Sequence, residues 1–396
     1  MNILRIIYDF ADKDVQSAGL SPGPYELTLA QGKRETYKIF VLTGNLNGKN
    51  LRQAKFKYTL CDGRVVVYNL PRAVGKFGPF LTSSLCVIPM YFYLKIFKGI
   101  DVVHNQQQMG VWFLLYKYLF GFIDKTPVVH SNHGPILARE EKIKEQGAKL
   151  SILIKYFEYS LHKLSDYLSV KVSDTIVAVS LNVKEDLERY YKILKPIVVV
   201  ENGVNVDKFK PDGEKINFGF REGAIILGNG GRLSKRKNVD LIVESLQYLD
   251  ENYVLTLWGK WDEDLKKKVG DFIVTHNLGS RVKYLGEVSY WEVDKYFRAL
   301  NVFLLPSVHE GLPKVVLEAI ASGNKVAASG FNLRHRIPCL TYLQDLSSQG
   351  IASAIKQLTK TTDGNNASIE IVKEFYSWDK KVDELDAVYR DVISKR

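Results

Sequence analysis

Cysteine is scarce in this chain: Cys61, Cys86 and Cys339 are an odd number, scattered widely through 396 residues. They exclude a disulfide framework, offer no metal-ligand spacing and predict a reducing cytoplasm. The opening is not expected to be a secretory leader. The opening MNILRIIYDFADKD has no basic region ahead of its apolar residues and reaches Asp9 early, so it reads as a first strand. Acidic or His/Cys clusters with metal spacing are absent, as are short-period repeats and low-complexity tracts. Aromatic residues are plentiful, yet no base-stacking module is recognisable, which argues against a nucleic-acid partner. One uncharged run, Phe77 to Leu94, approaches the length of a membrane span. Pro79, Pro89 and the Thr82-Ser83-Ser84 break make it a buried or surface-attached helix instead.

What is present is basic charge in one place. The net charge is +11, but residues 1–200 hold 27 Lys+Arg against 17 Asp+Glu, while residues 201–396 hold 28 against 27. Residues 51–100 alone carry eight basic residues and one acidic residue. A localised basic face fits an anionic partner; a merely solvated face is the competing reading.

The length suits two domains. Short, continuously apolar runs at 3–10, 37–44, 64–70, 101–106, 126–134, 174–180 and 196–203 alternate with helical patterns such as 150–164. A second series follows, with strands at 224–232, 253–259, 281–288, 302–305 and 325–329. Uninterrupted apolar strands alternating with helices predict parallel sheets covered on both faces. The expected fold is therefore α/β, two Rossmann-like doubly wound domains. The polar stretch 205–220 reads as the linker, with residues 1–204 before it, 205–376 after it, and a terminal helix at 377–396 returning to the first domain. Ligands of such sheets bind at the carboxyl ends of the strands, which in a tandem pair are expected to face a shared cleft.

Two strand-to-helix turns carry chemistry. In HEGLPKVVLEAIASG, Pro313 suits a first helical turn and Gly323 a helix stop, predicting a helix over 313–321. The amides of Gly311, Leu312 and Lys314 then form an anion site at its start. Glu310 and Glu318 flank that site and suit neutral hydroxyls attached to the anion. The competing reading makes Glu310 a dipole partner and Glu318 a solvated side chain. In GNGGRLSKRKNVD, Arg232, Lys235, Arg236 and Lys237 crowd a helix start, where cations oppose the helix dipole. A bound diphosphate resolves that conflict. Neither a Walker motif nor the dinucleotide fingerprint is present.

Taken together, GRLSKRKNVDLIVESL and EGLPKVVLEAIASG closely resemble glycosyltransferase family 4, the retaining, nucleotide-sugar-dependent enzymes of the GT-B fold. VVENGVNVDKFKP (199–211), AVSLNVKEDL (178–187), VHSNHGP (129–135) and FYSWDKKVDELDAVYRDVI (375–393) resemble further family segments. The resemblance implies Arg232 and Lys237 as the diphosphate clamp, Glu310 with the amides of Gly311, Leu312 and Lys314 on sugar and phosphates, and Glu318 on the ribose. It implies His133 close to the transferred sugar, with Gly23, Ser180 and Asn202 among the substrate-binding residues. The sequence departs from the family where a Gly-Gly pair is replaced by separate Gly19 and Gly23, and where Lys325 stands in place of a proline. His104 and His130 read as hydrogen-bonded structural residues.

The implied reaction is retaining, metal-independent transfer of a hexose-type sugar from a nucleoside-diphosphate sugar, UDP-sugar favoured, to a hydroxyl of a lipid-linked or saccharide acceptor in glycan or glycolipid synthesis. No cofactor beyond that co-substrate is expected. The alternatives are another GT-B activity (an inverting transferase or an epimerase) and a non-catalytic protein binding a membrane or polyanion. The expected location is cytoplasmic, with peripheral attachment to an anionic membrane face through the basic segment and the apolar run.

Overall fold

The computed structural model describes residues 1–8, 10, 22–47, 55–72, 83–106, 109–138, 154–191, 193, 195–360 and 365–396. They form two compact units, Met1–Asn202 with Lys381–Arg396, and Gly203–Lys380.

The first unit runs β1 (Asn2–Ile7), α1 (Gly23–Gly32), β2 (Lys38–Asn47), β3 (Lys57–Leu60), β4 (Val65–Arg72), α2 (Ser84–Lys98), β5 (Val102–Gln106) and α3 (Val111–Phe120). It continues through β6 (Val128–Asn132), α4 (Ile154–Val172), β7 (Thr175–Ala178), α5 (Leu181–Tyr191) and β8 (Ile197–Val199). Its sheet order is β3-β4-β2-β1-β5-β6-β7-β8, parallel except where β3 meets β4. Residue alternation explains the apolar runs. Leu4 and Ile6 pack with Phe40, Leu42, Val103 and Val128 against Val87, Tyr91, Phe113 and Leu114 of α2 and α3. Successive strand side chains point to opposite faces, and Arg5, between those two leucine-like neighbours, is fully buried.

Arg5 is bonded to neutral partners: its guanidinium donates to Thr28 Oγ1 at 2.5 Å, to Gln31 Oε1, and to Tyr389 Oη at 3.3 Å. Tyr389 in turn lies 2.6 Å from His104 Nδ1, and His104 Nε2 lies 2.7 Å from Ser131 Oγ. Tyr389 belongs to the terminal helix α12 (Trp378–Ser394), whose later part belongs to this unit. Arg34–Asp383 at 2.6 Å and Tyr37–Asp386 at 2.6 Å attach the same helix from outside.

The second unit runs β9 (Ile225–Gly230), α6 (Val239–Ser245), β10 (Tyr253–Trp258), α7 (Glu263–Thr275), β11 (Val282–Tyr284), α8 (Val293–Arg298) and β12 (Val302–Pro306). After β12 come α9 (Lys314–Ala321), β13 (Lys325–Ser329), β14 (Leu340–Tyr342), α10 (Ser348–Lys360) and α11 (Asn365–Tyr376). The sheet is parallel, ordered β11-β10-β9-β12-β13-β14. In β12, Phe303 and Leu305 join one core while Val302 and Leu304 join the core on the other face. A strand covered on both sides leaves no polar position, hence the unbroken run.

The stretch 205–220 is not a free linker. Phe209 and Phe218 are buried in the second unit, and Arg298 donates to the carbonyls of Lys208, Lys210 and Glu214. Its lack of periodicity reflects irregular backbone held by one arginine fork, which hydropathy does not register. Among the described residues no helix is long and apolar enough to cross a membrane; part of the apolar run, Phe77 to Thr82, lies outside them.

Candidate active site

In the second sheet β9 has β10 on one side and β12 on the other, so the strand order reverses there, and the crevice at such a switch point is where parallel sheets bind ligands. Both turns singled out in the sequence start there. Gly230 ends β9, and after it Lys235–Lys237 form a 3-10 turn before α6. Pro306 ends β12, and the following loop leads into α9.

The two loops are stitched together. Val308 donates its amide to Arg236 O at 3.0 Å, and Asn238 Nδ2 donates to Pro306 O at 2.8 Å. Arg236 closes the seam: its Nη1 lies 2.8 Å from Glu310 Oε1 and also donates to the His309 carbonyl. Ser307 Oγ donates to the same Glu310 oxygen at 2.8 Å. Gly330 completes the support, because its carbonyl accepts the Glu310 amide at 2.7 Å. Its φ is +85°, and a Cβ there would lie 2.6 Å from the Ser307 carbonyl oxygen.

Lys237 is half-buried, with Nζ 3.3 Å from where a Cβ on Gly231 would stand. Burial lowers its pKa from the usual lysine range, the nearby Glu310 charge raises it, and Arg236 lowers it again. Arg232 points elsewhere. It is exposed, and its Nε and Nη2 both donate to Asp262 Oδ1, at 3.1 and 3.0 Å.

The second glutamate has a different partner. Pro313 occupies the N-cap with ψ 100° and α9 begins at Lys314, one position later than the proline pattern predicts. An extended cap keeps the proline outside the helix, as N-cap residues ordinarily are. Lys314 Nζ lies 2.9 Å from Glu318 Oε1 and donates to Tyr290 Oη at 3.1 Å. Both side chains are almost wholly buried, so Glu318 is not a solvated helix residue. Of this loop, Leu312 contributes an apolar side chain to the core. The two glutamates therefore do separate work: Glu310 bridges two loops, and Glu318 carries a buried charge on the helix.

In the first unit His133 follows β6 and is exposed, beside Gly134 with φ +129°. Its loop is anchored where Asn132 Oδ1 accepts the Gly134 amide at 2.8 Å and Asp166 Oδ2 accepts the Ile136 amide at 2.8 Å. Burial raises the Asp166 carboxyl to about 6, although the Ile136 and Tyr191 hydrogen bonds oppose it. Ser180 is fully buried and caps α5, its Oγ accepting the Val183 amide at 3.2 Å. Gly23 is a buried first residue of α1, and half-buried Asn202 is the last residue before the second unit. His130 is buried with Asn105 Nδ2 2.9 Å from its Nδ1, so that nitrogen accepts and the ring proton sits on Nε2. Desolvation pushes it down to about 3, and His104 falls well below its ordinary value for the same reason.

Arg236, Ser307, Gly330 and Asp166 were not assigned from the sequence. Arg236 was visible only as one of four cations; its pairing with Glu310 depends on β9 and β12 being neighbours. Arg236→Ala is expected to lower kcat roughly tenfold to a hundredfold, the range of one charge-assisted hydrogen bond of about 1.5–3 kcal/mol. Arg236→Lys recovers the charge but not the fork. Steady-state kinetics on both variants checks this, and wild-type turnover in Arg236→Ala removes the residue from the site.

Two α/β units, each built on a largely parallel sheet, define the GT-B class of fold. Sucrose-phosphate synthase from Thermosynechococcus elongatus shares that fold with a TM-score of 0.78 at 15% identity, covering 100% of both chains. Residues 213–332 match the family described as Glycosyl transferases group 1, and residues 25–208 match Glycosyltransferase Family 4. The chain belongs to these glycosyltransferases. An uncharacterized glycosyltransferase of Methanocaldococcus jannaschii is 29% identical over 230 residues, which span 56% of this chain and 60% of that relative. The UDP-Gal:alpha-D-GlcNAc-diphosphoundecaprenol alpha-1,3-galactosyltransferase of Escherichia coli is 26% identical over 336 residues, 78% of this chain and 79% of the relative.

Proposed function

We propose that this glycosyltransferase moves a hexose-type sugar, with retention and without a metal, from a nucleoside-diphosphate sugar to a hydroxyl on a lipid-linked or saccharide acceptor. The observation that carries the reading is the convergence of Lys237, the Arg236–Glu310 pair and the α9 N-terminus at the switch point of the second sheet. A leaving diphosphate develops negative charge, and fixed cations and helix amides aimed at it are the largest contribution such a site makes.

In this reading Lys237 holds the diphosphate from within and Arg232 from the exposed flank. Glu310 and the amides of Gly311, Leu312 and Lys314 hold the sugar and phosphates. Glu318 accepts the ribose hydroxyls, its charge kept in register by Lys314. The first unit supplies the acceptor side, with His133 at the transferred sugar and Gly23, Ser180 and Asn202 among the substrate-binding residues; Ser180 Oγ accepts the Val183 amide and keeps its O–H to donate. The E. coli relative, by its name, uses UDP-Gal and a diphosphoundecaprenol-linked acceptor, which supports a UDP-sugar and a role in glycan or glycolipid synthesis. The three free thiols support a reducing, cytoplasmic setting.

The test is thermal unfolding with UDP, GDP, ADP and their sugars. A ligand that binds only the folded state at a hundred times its Kd stabilises it by about 2.7 kcal/mol. UDP and UDP-sugars are expected to raise Tm in the presence of EDTA as well as in its absence. A response to none of the nucleotides removes the donor site. An inverted product anomer, or turnover lost in EDTA, removes retention or metal independence alone.

A further inference from the structure

Side chains hold β6 and its His133 loop on both faces. Ser131 Oγ lies 2.7 Å from His104 Nε2, and His130 Nδ1 lies 2.9 Å from Asn105 Nδ2. Adjacent strand residues point to opposite faces, so these two bonds fix the strand from either side. Beyond the strand, Asn132 Oδ1 accepts the Gly134 amide and Asp166 Oδ2 accepts the Ile136 amide, both at 2.8 Å. Desolvation keeps His104 and His130 neutral, far below the ordinary histidine range. Asp166 is the holding group that carries charge at neutral pH.

That carboxylate is almost fully buried on α4 and also accepts the Tyr191 hydroxyl at 3.0 Å. One oxygen thus ties together α4, the loop after β6 and the end of α5. Its partners are an amide and a phenol, and among the described residues no cation pairs with it. Tyr191 is pushed above its ordinary value by burial and by Asp166 itself, so it stays protonated. On the same helix His162 and Lys163 stand about one turn earlier, and in the loop His133, lowered by desolvation, also titrates in acid. Burying a carboxylate without a cation is costly. Burial raises Asp166 to about 6, above the roughly 3.9 of an unfolded chain, so the folded state binds the proton more tightly. Its contribution to stability is therefore full below the unfolded value and is lost as pH rises through the folded one. At neutral pH the fold carries the charge at a net loss, and losses of this kind are retained at functional sites.

We propose that ionised Asp166 is a positioning residue of the reaction, a latch that fixes the His133 loop for turnover and gives up fold stability to do so. A hydrogen bond to an ionised acceptor is roughly twice as strong as one between neutral groups. The carboxylate therefore holds the Ile136 amide, a few positions beyond His133, more firmly than the protonated acid does. Gly134, at φ +129°, makes that hold matter, because glycine gives the backbone beside His133 more freedom than any other residue would. The inference rests on the proposed place of His133 at the transferred sugar, and adds that this placement depends on pH.

The experiment compares the full chain with Asp166→Asn, which keeps the shape and an acceptor but not the charge, and with Tyr191→Phe. At about pH 8, Asp166→Asn is expected to melt at a higher temperature than wild type, with the gap closing below about pH 5. In the same variant, hydrogen exchange of the peptide holding Ile136 is expected to quicken, and UDP release from UDP-glucose or UDP-galactose to slow, each roughly tenfold. Wild-type UDP release is expected to fall through an acid limb near pH 6 to the rate of the variant. Asp166→Asn lacks that limb, and Tyr191→Phe, without a bond that favours the carboxylate, moves it to higher pH. A carboxylate that only supported the fold would lower stability and rate together when replaced. Stability of Asp166→Asn at or below wild type at about pH 8, or an acid limb unchanged in it, overturns the proposal. His133→Ala tests the reading beneath it. Wild-type UDP release in His133→Ala removes that histidine from the site and the latch with it, whereas a slow His133→Ala beside a fast Asp166→Asn overturns the latch alone.

Discussion

Lys237→Ala is expected to lower kcat/KM for the nucleoside-diphosphate sugar by roughly a hundredfold to a thousandfold, the effect of deleting one preorganised charge-stabilising donor. The lysine is half-buried between Glu310 and the β9 turn, where burial already disfavours its protonated form. A diphosphate there favours the protonated form and gains an interaction poorly screened by solvent. Arg232→Ala should cost about tenfold at most, since Arg232 is exposed and paired with Asp262, and exposed ion pairs are worth little. Calorimetry with the bare nucleoside diphosphate, beside steady-state kinetics, separates binding from turnover. A folded Lys237→Ala enzyme with wild-type affinity and rate would show that the diphosphate lies elsewhere.

Gly259→Ala should destabilise the second unit by roughly 2–4 kcal/mol, combining a left-handed backbone with overpacking. Gly259 follows β10 with φ +114°, and a Cβ there would stand 1.8 Å from the Gly231 carbonyl oxygen. Backbone cannot yield as a side-chain tip does. The displacement falls on Gly231, the residue before Arg232, so nucleotide affinity should drop along with stability. Urea unfolding followed by intrinsic fluorescence measures the first effect, and nucleotide titration the second. Wild-type stability in Gly259→Ala would mean that the β9 and β10 ends do not pack this closely.

Some of the site was legible because its signals are local. Lys237 and Glu310 each sit at a turn between an apolar run and an amphipathic helix, and the sheets place both turns at one switch point. The Arg236–Glu310 pair was not legible, because its members come from turns after different strands and meet only when β9 lies beside β12. Glu318 was left open between ligand and solvent; its burial depends on Lys314 and on Tyr290, which comes from another segment. Ser180 adds a tertiary detail: it follows a strand, as its sequence position indicates, and its Oγ also accepts the Val183 amide at the start of a helix.

By itself the sequence determined the α/β class, the two-domain plan and the place of two charged strand-to-helix turns, since strand and helix periodicity, capping residues and charge at helix starts act within a few positions along the chain. Tertiary structure decided the rest: that 205–220 packs on the second unit through Arg298, that β3 adds an antiparallel edge, that Arg236 rather than Arg232 holds Glu310, and that Lys95 of α2 pairs with Asp124 after α3. Each of these depends on which distant segments become neighbours. Neighbourhood is set by the packing of both sheet faces, and no local pattern encodes it.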